Sequence, residues 1–212
     1  FEEQNAIRNS LTRELNHRVK NTLANVLSIV ALTRRRASTL DEFAEGLDGR
    51  IRALSATHDL LTQSDWGPTP MGAVIEAELA PYARDARDTG PVISLEGPQI
   101  ELAPSDALSL GLAIHELATN AAKYGSLSQP GGKLSVKWGL SGESHARIDW
   151  VETGGPPIPE DRGRGFGMDL LEKIVADELQ NPVRIDFDPA GLRCTLTVPV
   201  RTPRVFTIRG RN

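Results

Sequence analysis

The sequence predicts an α+β chain: a two-helix hairpin, followed by a two-layer α/β sandwich whose helices gather on one face of a sheet. Three observations carry this. Residues 2–37 contain neither Gly nor Pro and keep apolar residues at helical spacing. Later, Leu134 to Leu140, Ala146 to Trp150 and Leu192 to Val198 alternate apolar with polar residues, as half-buried strands do. Between these regions, Leu108 to Gly125 reads as a helix with Leu110, Ile114, Leu117 and Ala121 on one side. Its other side collects Glu116, Asn120 and Lys123, a solvated polar face of residues three and four apart.

Taken in order, the first helix runs from Glu2 to about Ala37, and Leu15, Val19, Thr22 and Val26 mark its buried side. Thr39-Leu40-Asp41-Glu42 has the form of a capping box that opens a second helix. There Phe43, Leu47, Ile51, Leu54, His58 and Leu61 recur at near-heptad spacing, so the two helices should pair as a hairpin over residues 1–66. Trp66-Gly67-Pro68-Thr69-Pro70 breaks the pattern and marks the domain edge. The second domain, residues 67–200, then opens with a helix from Met71 to Arg87 and a strand from Val92 to Leu95. Pro104-Ser105-Asp106 supplies helix-start chemistry for the central helix, and Gly125 its C-terminal cap. Antiparallel strands follow, interrupted by a helix from Met168 to Glu178. Residues 201–212 form a basic tail.

Composition sets the outer bounds. The 212 residues carry 25% charged side chains and a net charge of -4, which offers no broad basic surface for nucleic acid. One cysteine, Cys194, rules out a disulfide framework and fits a reducing, cytoplasmic compartment. No apolar run approaches the roughly 20 residues of a membrane span. The chain begins at Phe1 rather than Met and reads as part of a longer protein, with a sensor region expected upstream.

The polar side of the central helix suits a magnesium-bound triphosphate. Asn120 offers a hard oxygen to Mg²⁺, Lys123 a positive charge for phosphate, and Glu116 a handler of water or protons. Trp150-Val151-Glu152-Thr153-Gly154-Gly155 ends a strand in a glycine turn, where a carboxylate can accept from an exocyclic amine such as that of adenine. Gly163-Arg164-Gly165-Phe166-Gly167 feeds the Met168 helix and could cradle phosphate. No Walker-type motif and no dinucleotide fingerprint occurs. His17 lies almost opposite the apolar side of the first helix, in company with Arg13, Lys20 and Asn21. An imidazole held among cations in water is poorly placed for packing and well placed to meet a phosphoryl group. His58 interrupts an apolar stripe and reads as a packed histidine, and Cys194 as core.

Four of these segments, in this order, resemble the signature of one family. Glu14-Leu15-Asn16-His17-Arg18-Val19-Lys20-Asn21 resembles the phosphoacceptor motif of HWE sensor histidine kinases. His115 to Gly125 is similar to their N box, with its distinguishing histidine, and Trp150-Val151-Glu152 to their tryptophan-x-glutamate. Gly163 to Gly167 resembles the second glycine box. The resemblance implies a hairpin bearing the phosphoacceptor His17, then an ATP-binding sandwich of Bergerat (GHKL) type. It further implies Asn120 on Mg²⁺, Lys123 on phosphate and Glu152 at the adenine amine. His115, Tyr124, Gly154, Gly155, Gly163, Gly165, Phe166 and Gly167 would complete the ATP site. Arg18 stands directly after the histidine, where many histidine kinases place an acid, so the proton acceptor is open between Glu14 and Glu116.

The function implied is transfer of the ATP γ-phosphoryl group to His17, with Arg18 and Lys20 stabilising developing charge, and onward to an aspartate of a response regulator. A homodimer through the hairpin is a further implied partner. Two rival readings keep the nucleotide site and change its use. One is a GHKL ATPase or serine kinase that leaves His17 untouched. The other is a nucleotide-binding adaptor without catalysis. The long helix presenting His17 argues against the first, and the intact site residues against the second.

Overall fold

The computed structural model describes residues 2–83, 90–158, 168, 171, 172 and 179–200; for residues 2–11, 14, 15, 18 and 36 the description stops at the backbone. The chain divides into two compact units, Phe1–Arg52 and Ala53–Asn212. The division falls inside the second helix, upstream of the break at Trp66 to Pro70.

The first unit holds α1 (Glu2–Arg36) and the opening half of α2 (Leu40–Gln63). The capping expectation at Thr39 is met with one change. Thr39 Oγ1 accepts the Glu42 N–H at 3.1 Å, while Glu42 Oε2 accepts the N–H of Ser38, at 2.8 Å, rather than that of Thr39. Where the two helices meet, Ile29 and Thr33 are buried, and the buried Arg50 donates to Thr33 Oγ1 at 3.1 Å. Thr33 in turn donates to the Ile29 carbonyl at 2.6 Å. The expected buried side of α1 is only partly covered. Thr22 and Val26 are half-buried, but Val19 is 49% exposed, and Leu23 and Leu27 continue that open stripe at spacings of four. Two paired helices hide one narrow seam, and apolar positions off that seam stay in water.

The second unit takes in the end of α2. Thr57 and Leu61 are buried there, Leu61 in one cluster with α3 (Met71–Leu79) and α4 (Pro104–Tyr124). Each fully buried leucine or isoleucine of this kind contributes about 1.5–3 kcal/mol. The helix ends with Asp65 and Trp66 in the left-handed region, and the Trp66 ring meets His58 edge-on at 4.8 Å. His58 is therefore packed, as its place in the stripe predicts. A two-stranded ribbon, β1 (Thr69–Pro70) against β3 (Glu101–Leu102), brackets α3. The expected helix from Met71 to Arg87 is shorter: α3 stops at Leu79 and gives way to a 3-10 turn, Ala80–Tyr82. Pro81 lacks the N–H that another α-helical turn needs there, and residues 84–89 lie outside the described residues.

The main sheet runs in the order β2 (Val92–Glu96), β4 (Lys133–Ser141), β5 (His145–Thr153), β7 (Gly191–Pro199), β6 (Arg184–Asp188). It is mixed rather than wholly antiparallel. β2 and β4 pair in parallel, because the chain between them crosses through α4 and returns running the same way. The remaining pairs are antiparallel. Alternation holds where α4 covers the sheet: Leu134, Val136, Ile148, Trp150, Cys194, Leu196 and Val198 are buried with Leu110, Ile114 and Leu117. It fails at Leu140, 65% exposed near the free end of β4. The short edge strand β6, mostly charged in sequence, escapes a search for alternation. The helix expected from Met168 to Glu178 lies largely outside the described residues.

Candidate active site

The last turns of α4 rise gradually out of the core. Leu117 and Ala121 are buried, Thr119 and Asn120 half-buried, and Lys123 and Tyr124 exposed. Glu116 departs from the expected solvated face: it is only 5% exposed. α4 is packed by α3 as well as by the sheet. The carboxylate is held in the protein rather than presented to water.

His115 is also drawn inward. Its Nδ1 lies 3.5 Å from Oε2 of Glu78 on α3, a side chain that is itself buried. Glu78 Oε1 has no hydrogen-bond partner among the described residues. Sequence reasoning passed over Glu78, although an acid at helical spacing from Met71, Val74 and Ile75, directly before Leu79, is a legible anomaly.

Glu152 sits on β5, 3% exposed, and both its oxygens are engaged. Oε1 accepts the indole N–H of Trp150 at 3.0 Å, and Oε2 accepts the backbone N–H of Ser126 at 2.8 Å. Ser126 opens the turn directly after α4, so the tryptophan-x-glutamate segment and the N-box segment are joined by one carboxylate. Burial pushes the Glu152 carboxyl above its ordinary value, and the hydrogen bonds from Trp150 and Ser126 pull it partly back. Each oxygen keeps a second lone pair with which it can still accept from a ligand amine.

Glycines make this junction possible by lacking bulk. Gly125 caps α4 in an extended conformation, so its value is space and not handedness: a Cβ there would run into Glu152 Oε2. A Cβ on Gly155 would sit 2.8 Å from backbone atoms of Gly125 and Ser126. Gly154 has φ +69, the left-handed region, and its carbonyl accepts from Gln129 Nε2 at 3.0 Å. The glycine turn after β5 thus lies against the end of α4, beside the exposed Lys123 and Tyr124.

This donor set fits a magnesium nucleotide. Asn120 offers one amide oxygen, which suits an ion that keeps most of its shell as water and phosphate oxygens. Among the described residues no cluster of three or more His, Cys, Asp or Glu could hold a metal alone. Gly163, Gly165, Phe166 and Gly167 lie outside the described residues.

His17 belongs to the other unit. It is exposed on α1, where Thr12, Arg13, Asn16, His17 and Lys20 line a hollow of about 400 Å³. Spacings of four and three put Arg13, His17 and Lys20 on one face, so two cations flank the imidazole. The Arg18 side chain lies outside the description.

Comparison with known proteins agrees with this geometry. The sequence model of the HWE histidine kinase family matches residues 14–99. A blue-light-activated histidine kinase of Brucella anthropi is 38% identical over 199 residues, 92% of this chain and 40% of that protein. That of Brucella ovis is 33% identical over 205 residues, 95% of this chain and 41% of its own length. The chain therefore spans about two fifths of these relatives. Among solved structures, the blue-light activated histidine kinase EL346 of Erythrobacter litoralis superposes with a TM-score of 0.64 at 19% identity, over 89% of this chain and 58% of that one. Its isolated histidine kinase domain gives 0.59 at 15% identity, over 84% and 96%. These likenesses carry the fold, α+β with helices beside a mixed five-stranded sheet. On the family match and these relatives, the chain belongs to the HWE histidine kinase family.

Proposed function

We propose that this chain is the kinase core of a two-component sensor, which transfers the γ-phosphoryl group of ATP to His17 and then to an aspartate of a response-regulator receiver domain. The observation that carries the reading is the exposed His17 between Arg13 and Lys20 on α1, in a chain of this family. The unprotonated nitrogen of the imidazole attacks phosphorus. The bond from the γ-phosphorus to the bridging oxygen breaks, ADP leaves with that electron pair, and the proton on the other ring nitrogen passes to a base. Glu14, three residues before His17, and Glu116 are the candidate acceptors. Arg18 and Lys20 would balance the charge that develops on the transferring group.

On the nucleotide side, Asn120 would hold Mg²⁺, which supplies charge neutralisation when bound. Lys123 would meet phosphate, and Glu152 the adenine amine. His115, Tyr124, Gly154 and Gly155, with Gly163, Gly165, Phe166 and Gly167, would complete the pocket. The work assigned to these residues is positioning and electrostatics, with no covalent role. Residues 1–66 would serve dimerisation and phosphotransfer, 67–200 ATP binding, and 201–212 a basic tail, with a sensor upstream and a cytoplasmic location. Among the described residues no helix is long and apolar enough to cross a membrane. The open stripe of Val19, Leu23 and Leu27 favours a second copy against α1.

Incubation with γ-labelled ATP and Mg²⁺ should give phosphate that is acid-labile and base-stable. His17→Gln should abolish that label, and full labelling of the variant would refute the assignment.

A further inference from the structure

We infer that Trp150 is a positioning residue for the nucleotide site: its indole N–H holds Glu152, and Glu152 holds the backbone of Ser126, fixing the turn that carries the end of α4. The inference rests on the reading of α4 and Gly154–Gly155 as a nucleotide site. It gives the buried tryptophan a role that packing does not require.

The geometry is specific. A carboxylate in the charged form only accepts hydrogen bonds, and here two N–H donors, one for each oxygen, fix its plane. Trp150 and Glu152 are two residues apart on β5 and so share its inward face. The indole contact is 3.0 Å and the Ser126 contact 2.8 Å. A phenylalanine would fill most of the same apolar space and supply no donor. What the indole adds is one N–H aimed at one oxygen, and without it the carboxylate can swing away from Ser126. Ser126 lies three residues after Lys123 and two after Tyr124, so slack at Ser126 is slack at the exposed end of the candidate site. Gly125 and Gly155 remove the side chains that would otherwise block this contact.

The test uses the whole chain. In Trp150→Phe the exchange rate of the Ser126 amide hydrogen should rise, and the affinity for a magnesium-bound non-hydrolysable ATP analogue should fall, each by about five- to tenfold, the loss of one net hydrogen bond. Should the phenylalanine variant fold poorly, a benzothiophene replacement of the indole removes the N–H and keeps the ring shape. A double-mutant cycle separates the latch from ordinary packing. Glu152→Gln leaves one acceptor oxygen for two donors, so it must break one bond in the native background. In the Trp150→Phe background that oxygen is free to meet Ser126, and the second substitution should cost less than in the parent chain. Additive effects, or an unchanged Ser126 amide in both tryptophan variants, would overturn the inference. So would a loosened Ser126 with unchanged affinity. If the parent chain binds no nucleotide, the site reading fails, and the exchange comparison still decides whether the latch exists.

Discussion

Gly111 of α4 lies directly against Thr57 of α2, so close that a Cβ on the glycine would collide with the threonine hydroxyl. Glycine in a helix interior normally costs about 1 kcal/mol relative to alanine, so something must be gained in exchange. Here it is the close approach of two helices within one core. Gly111→Ala should therefore destabilise the chain by about 1–3 kcal/mol despite the better helix former. Among the described residues Thr57 Oγ1 is buried without a hydrogen-bond partner, so Thr57→Ala in the same chain should recover much of that loss by opening space. Denaturant unfolding of the two single variants and the double variant checks this. A Gly111→Ala chain more stable than the parent would contradict the packing.

The same contact bears on where the second domain can be cut. Leu61 is fully buried in the cluster that contains Leu110, Ile114 and Leu117, so the end of α2 completes that core. A fragment beginning at Ala53 should unfold cooperatively and resist protease. One beginning at Gly67 loses Leu61 and Thr57 and should be less stable by several kcal/mol, since a single Leu→Ala at such a site costs about 2–5 kcal/mol. Equal stability of the two fragments would restore the boundary at Trp66 to Pro70.

That boundary shows how far sequence reaches. Helical periodicity found α1, α2 and α4 because each has a long apolar side, and alternation found β4, β5 and β7 because α4 covers them. The candidate site was legible where chemistry is local: His17 among cations, Asn120 and Lys123 on one face, and glycines after Glu152. Relations between distant segments were not legible. Nothing in the residues around Glu116 shows that it is buried, and nothing around Glu152 shows that Ser126, 26 positions earlier, donates to it. The parallel pairing of β2 with β4 is likewise set by a crossover, which no alternating pattern encodes. Glu78, a buried acid on an apolar helix stripe, was within reach of helical spacing and was still passed over.

Glu152 gives a signed pH prediction. Its carboxyl is raised from an ordinary 4.5, mainly by burial, so the folded chain holds that proton more tightly than the unfolded chain. Its contribution to stability is then fully present below about 4.5 and is lost as pH rises through the folded value. Chemical denaturation from pH 4 to pH 7 should show this falling component, superposed on the titration of other carboxylates. Glu152→Gln should remove it, so the difference curve between parent and variant should slope downward with pH. A flat difference would mean that the carboxyl titrates alike in folded and unfolded chains.

Cys194 offers a probe of the same sheet from the neighbouring strand. It faces Trp150 across the β5–β7 ladder and is buried, with its thiol pushed up to about 12 by burial first and by the charges of Asp149, Glu152 and Glu172 after it. The thiolate is the reactive species, so a rise from the ordinary 9.0 to about 12 lowers its population at pH 8 about a thousandfold, before access is considered. Alkylation by iodoacetamide at pH 8 should accordingly be slower in the native chain than in urea by at least that factor. It should follow the global unfolding rate if the ladder opens only when the whole unit does. In Trp150→Phe the ladder keeps its backbone bonds, so native labelling should stay slow even while the Ser126 amide becomes free to exchange. Rapid labelling of that variant would mean that the substitution opens the core itself. The loosened turn would then be a consequence of lost packing and not of one lost N–H.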